Sequence, residues 1–197
     1  MLNDPDTEIE LIPRIAASHS QGILHTAHEK EATLILMGWR GKRSLSEQVL
    51  GSVLDEVIWG SDTPVMIGRV NLPLNCTQRV VFVIPPKVIP LIALKRMIEA
   101  NFLLAKSLNV PLVIWADASY RQSVEALLAI RGSDHPVATE LLGDRSRSSA
   151  LEGEGPGSFI VVPGFGSRKR VADTLGQIPE QIASSFDGNL AILHFDN

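Results

Sequence analysis

One stretch of this chain concentrates residues suited to holding an anion. Met37-Gly38-Trp39-Arg40-Gly41-Lys42-Arg43 is followed, after seven residues, by Gly51-Ser52. Glycines let a backbone approach a phosphate without a Cβ in the way. Arg40, Lys42 and Arg43 add positive charge, and Ser52 offers a hydroxyl. If the stretch joins a strand to a helix, the free N–H groups and dipole of the helix N-terminus attract negative charge. The chemistry indicated is capture of a phosphate-bearing ligand. Without a ligand, the same residues make a tight turn with Gly51 as a packing glycine.

Two familiar phosphate motifs do not fit. A P-loop needs Gly, four residues, Gly-Lys, then Ser or Thr. Here Arg43 follows Gly41-Lys42, and Leu36 stands where the first glycine belongs. A dinucleotide fingerprint also fails, because no glycine follows at the required spacing.

The flanking elements must position this loop. Residues 33–37 form a continuous apolar run, as expected of a strand covered on both faces. Ser44-Leu45-Ser46-Glu47 reads as a capping box. Leu45, Val49, Leu50, Val53, Leu54, Val57 and Ile58 recur at helical spacing. Pro64–Gly68 is a second buried strand. Upstream, residues 8–16 alternate like a strand, with Pro13 placing it at an edge or an end. Residues 18–29 read as a helix with Ile23, Leu24 and Ala27 inward.

The pattern restarts after a linker at 71–78. Strands are expected at 80–84, 111–116, 137–141, 159–162 and 190–195, and helices over 90–108, 120–131 and 168–185, the last broken by Gly176 and Pro179. Residues 143–157 read as a loop. Strands alternating with helices predict an α/β fold: an open, mainly parallel sheet with helices on both faces.

Composition narrows the class. The chain has 197 residues, 45% hydrophobic and 20% charged, ordinary for a globular protein. A formal net charge of −4 argues against a nucleic-acid partner. Cys76 is the only cysteine, so no internal disulfide forms. No apolar run approaches the ~20 residues that span a bilayer. A cytoplasmic location is expected.

The glycine spacing does fit another pattern. Gly38, two residues, Gly41, nine residues, Gly51-Ser52, with Pro64-Val65 in the next strand, resembles the nucleotide signature of universal stress proteins. That resemblance implies a Rossmann-like fold and binding of ATP or another adenine nucleotide. It gives Gly38, Gly41, Gly51 and Ser52 contacts to phosphate and ribose, with Met37 and Val53 as adjoining contacts. It divides the chain into the C-terminal part of a first copy (1–70), the linker 71–78, and a complete second copy (79–197).

The second copy departs from the signature. It has Gly164-Phe165-Gly166-Ser167 but no counterpart of Gly51-Ser52. Pro85-Pro86 stands where ATP-binding members carry an Asp. In the first copy, the family's first two strands are missing. The whole resembles the cytosolic tandem stress-protein tail of bacterial cation/proton antiporters. That implies a regulatory, nucleotide-sensing role beside a membrane transporter part of the same parent chain. The alternatives are a freestanding tandem stress protein that binds ATP, and a structural dimerisation module with a decayed site.

Remaining candidates have simpler readings. No catalytic triad, carboxylate pair or nucleophile elbow is evident, so the chain is read as a non-enzyme. His25, His28 and Glu29 share a helix face, but no third strong ligand joins them, so no metal is expected. Trp39 is read as stacking on an adenine or meeting an interface. Arg168-Lys169-Arg170 reads as a solvated turn. His135 and His194 read as structural. Pro64–Gly68 and Leu190–Phe195 are expected at the sheet edge, pairing two copies into a homodimer.

Overall fold

The computed structural model describes residues 8–39, 52–85, 89–131, 135–141, 154–164 and 186–195. In chain order the elements are α1 (His19–Glu29), β1 (Ile35–Gly38), α2 (Ser52–Gly60), β2 (Val65–Arg69), β3 (Arg79–Ile84), α3 (Leu91–Leu108), β4 (Leu112–Ala116), α4 (Arg121–Arg131), β5 (Val137–Leu141), β6 (Ser158–Pro163) and β7 (Asn189–His194). The expected capping box and the helical register before Ser52 lie outside the described residues.

All seven strands form one sheet in the order β1-β2-β7-β6-β3-β4-β5. Every neighbouring pair is parallel except β2 and β7, which run antiparallel. The apolar runs Val80–Ile84, Leu112–Ala116 and Phe159–Val162 are buried throughout, as strands covered on both faces must be. One helical layer, α3 and α4, packs through Leu94, Ile98, Phe102 and Val124 against Phe82, Ile114 and Val161. The other face carries α1 and α2, with Leu54, Val57, Ile58 and the α1 residues Ile23, Leu24 and Ala27 against Ile35, Val65 and Ile67. Leu91, in the first turn of α3, is exposed.

Two expectations are corrected by the pairing. Pro64–Gly68 and Leu190–Phe195 are not edges: Val65–Arg69 and Leu190–His194 pair with each other, centred on Ile67 opposite Ile192. Their ladder groups are satisfied within one chain, so these strands cannot join two copies into a homodimer. Residues 8–17 also form no strand. A strand needs a partner, and among the described strands the outer one on this side is β1, which they do not join. Polar tethers to α1 hold them instead. Lys30 reaches Glu10 at 2.9 Å, and Arg14 is paired with Glu29 and with His25 Nδ1 at 2.8 Å.

The linker at 71–78 is fastened along its length. Because β2 runs opposite to β7, β6 and β3, it ends beside their starting ends. The chain then crosses past the start of β7 and β6 to enter β3. Asn189 Oδ1 accepts from the Asn71 and Leu72 N–H groups at 2.9 Å each. The Gln78 N–H donates to the Gly157 carbonyl at 2.8 Å. Arg79 pairs with Glu154 and donates to Ser158.

Candidate functional site

β1 and β2 end side by side, Gly38 opposite Gly68, at the sheet end where ligands settle in parallel α/β folds. Gly38 has open space where a side chain would stand. The Trp39 N–H adds a last rung, donating to the Gly68 carbonyl at 2.7 Å. The chain re-enters the described region at Ser52, the first residue of α2. Of Gly38, Gly41, Gly51 and Ser52, the structure describes Gly38 and Ser52. Gly41 and Gly51 fall within residues 40–51, outside the described residues.

The adjoining contacts sit differently from one another. Met37 and Val53 are half-buried, and Met37 packs against the core of α1 and α2. Trp39 is 7% exposed and belongs to that same core. The expectation that its ring stacks on an adenine or meets an interface is therefore corrected: the indole anchors the end of β1. Its pattern position was the available signal, since Trp39 continues the inward alternation of Ile35 and Met37.

Charge at this end includes a residue that the sequence did not single out. Arg69 follows Gly68 and is half-buried. Its guanidinium donates to the Phe186 carbonyl. Burial pushes its pKa down from the ordinary value, and Asp187 acts in the opposite sense. Arg69 thus ties the end of β2 to the start of β7. Asp55, in the first turn of α2, is buried, an acidic placement that favours the helix dipole.

The equivalent end of the second half lies at the opposite end of the strands, since β2 and β7 are antiparallel. There the connection changes direction between β3 and β6, the switch point at which such folds hold ligands. Pro85 and Gly164, which follow these strands, are both buried. The Tyr120 hydroxyl accepts from the Ile89 N–H at 2.7 Å, fixing the chain beyond β3. Arg168, Lys169 and Arg170 lie outside the described residues.

The histidines hold structural posts. His25 and Glu29 both engage Arg14, and no group of three metal-ligating side chains occurs among the described residues. His135 bonds the Val110 carbonyl at 2.8 Å and lies edge-on to Phe102 at 5.3 Å. His194 approaches the Gly164 carbonyl at 3.4 Å. Among the described residues, no helix is long and apolar enough to cross a membrane.

Comparison with known proteins agrees with this architecture. Residues 8–69 match the model of the universal stress protein family. The Na(+)/H(+) antiporter NhaS5 of Synechocystis sp. is 32% identical over 102 residues, covering 49% of this chain and 15% of the antiporter. This chain therefore spans a small part of that relative's length. The cytoplasmic domain of a prokaryotic cation chloride cotransporter superposes with a TM-score of 0.60 at 6% identity, over 88% of this chain and 70% of that one. A putative universal stress protein from Pseudomonas aeruginosa superposes with a TM-score of 0.57 at 12% identity, over 91% and 69% respectively. Residues 8–69 thus match the universal stress protein family, and the sheet as a whole has the fold of a solved protein described as one.

Proposed function

We propose that this chain is a cytoplasmic regulatory domain of a cation/proton antiporter, sensing adenine nucleotide through the 38–52 loop. The observation that carries the reading is the 32% identity to a Na(+)/H(+) antiporter. Also in support are Gly38 at the C-terminal end of β1, beside Gly68 of β2, and the glycine spacing of the 38–52 stretch. Helix N-terminal N–H groups, three glycines and three cations give that loop the character of a phosphate cradle. Regulation needs only that nucleotide bind two arrangements of the domain with different affinity, and that the transporter part respond to the difference. The domain holds and releases ligand; no covalent chemistry is assigned to it.

The test is calorimetry of the longest soluble tail of the parent protein against ATP, ADP, AMP and cyclic dinucleotides. Saturable binding of one adenine nucleotide per tail is expected. Absence of binding by all four would favour the reading of a structural module with a decayed site.

A further inference from the structure

The two sides of α3 differ in character. The inner side, through Leu94, Ile98 and Phe102, is buried against the sheet. On the outer side, Ile92, Arg96 and Leu103 stand at i, i+4 and i+11. Lys95, Glu99 and Lys106 repeat that spacing beside them, so the six share one face. Ile92 is 76% exposed and Leu103 59%, and Arg96 and Lys106 are exposed as well.

The charge of this helix runs against that of the chain. The chain has a formal net charge of −4, yet α3 carries three cations and one carboxylate. That carboxylate, Glu99, stands 4.0 Å from Lys95, an exposed pair of little energy. Arg96 and Lys106 are the surplus. In α4, the other helix of this layer, Arg121 is matched by Glu125 at 2.9 Å. Single exposed aliphatic side chains are ordinary on a protein surface. Ile92 and Leu103 share one line, about 16 Å apart along the axis, with cations between and beside them.

We propose that the outer face of α3 docks the domain on an anionic lipid bilayer. α3 lies parallel to the surface. Ile92 and Leu103 enter the boundary between headgroups and acyl chains, and Lys95, Arg96 and Lys106 extend their stems to hold lipid phosphates. Two features choose this occupant. Anionic headgroups complement the surplus of Arg96 and Lys106, and a fluid surface moulds itself to the convex side of a helix. The buried inner side keeps α3 from inserting further. The inference rests on the reading of this chain as the cytoplasmic part of a membrane transporter, which puts a bilayer within reach, and not on nucleotide binding.

Two measurements test it. The 197-residue chain is sedimented with vesicles of phosphatidylcholine alone or with about 30% phosphatidylglycerol. Binding to the anionic vesicles should be at least about tenfold tighter, and should weaken at least about tenfold between about 0.1 M and about 0.5 M salt. Ile92→Ser with Leu103→Ser, and separately Arg96→Gln with Lys106→Gln, should each weaken it about tenfold with the circular dichroism unaltered. The second measurement reads orientation. A polarity-sensitive dye on Ile92→Cys, in a Cys76→Ser background, should shift to the blue with anionic vesicles. The same dye on Ile9→Cys, exposed beside α1 on the other layer, should not. No binding to anionic vesicles, equal binding to neutral ones, or an equal shift at Ile9 overturns the proposal. A dimer of the chain that protects Ile92 also overturns it, by making a second copy the occupant. The vesicle mixtures hold no nucleotide and the calorimetry holds no vesicles, so the two readings can fail separately.

Discussion

The side-chain amide of Asn189 grips Leu72 from both sides: its Oδ1 accepts from the Leu72 N–H at 2.9 Å, and its Nδ2 donates to the Leu72 carbonyl at 3.0 Å. Asn189 is buried, and the Asn71 N–H shares the same Oδ1. The first residue of β7 thereby fastens the connection between the two halves of the sheet.

Asn189→Ala should therefore destabilise the chain by about 1–3 kcal/mol, because the partly buried backbone groups of Asn71 and Leu72 lose their partner. For a chain of this size that corresponds to a fall in Tm of about 2–12 °C. Thermal unfolding followed by circular dichroism measures it. An unchanged Tm would show that water replaces the clasp without loss.

The tether of residues 8–17 should loosen in acid. The Arg14 guanidinium, by hydrogen bond and by charge, holds the Glu29 carboxyl below its ordinary value. A carboxylate lowered in the folded state contributes stability above its unfolded pKa and loses it as pH falls through the folded one. Amide exchange at residues 12–16 should thus rise relative to that of β3 as the pH drops below the ordinary carboxylate range, about 4. Glu29→Gln should show the fast exchange at neutral pH already.

Asn101 sits fully buried in α3, donating to the Met97 carbonyl at 2.8 Å while its Oδ1 has no hydrogen-bond partner. Its neighbours are apolar. Asn101→Leu should raise stability by about 1 kcal/mol, since a buried oxygen without a partner costs about 1–3 kcal/mol and the lost bond returns less. Urea denaturation reads the change as a higher midpoint at constant slope. A lower midpoint would mean that the larger side chain overfills the site.

The nucleotide reading makes its own prediction. Gly51→Val in the full tail should weaken adenine-nucleotide binding at least tenfold, about 1.4 kcal/mol. Reversing the charges of Arg168 and Lys169, read from the sequence as a solvated turn, should leave affinity nearly unchanged. The opposite result would assign the ligand to the second half.

Much of the fold was legible in the residues themselves. Val80–Ile84, Leu112–Ala116 and Phe159–Val162 are apolar on both faces, which only a covered strand tolerates, and each forms one. The buried Leu94, Ile98, Phe102 and Ala105 of α3 recur at helical spacing, a period that the residues themselves carry. Gly38 was legible as the end of a strand and Ser52 as part of a helix, and the structure has both in those elements. These are local properties: a side chain's polarity and its period decide them wherever the element ends up.

Pairing is not local, and there the tertiary structure decided. Residues 8–16 alternate like a strand yet form none, because alternation supplies a face but no partner for the backbone. The strands Val65–Arg69 and Leu190–His194 looked like edges and instead close on each other, because each offered the other an unpaired, antiparallel ladder within the same chain. Trp39, in a loop by sequence, was drawn into the core by the space between α1, α2 and β1. The arginines show the same division. Arg40, Lys42 and Arg43 were visible as a charge cluster, but Arg69 and Arg14 gained their places only when the chain brought Phe186 and Glu29 to them.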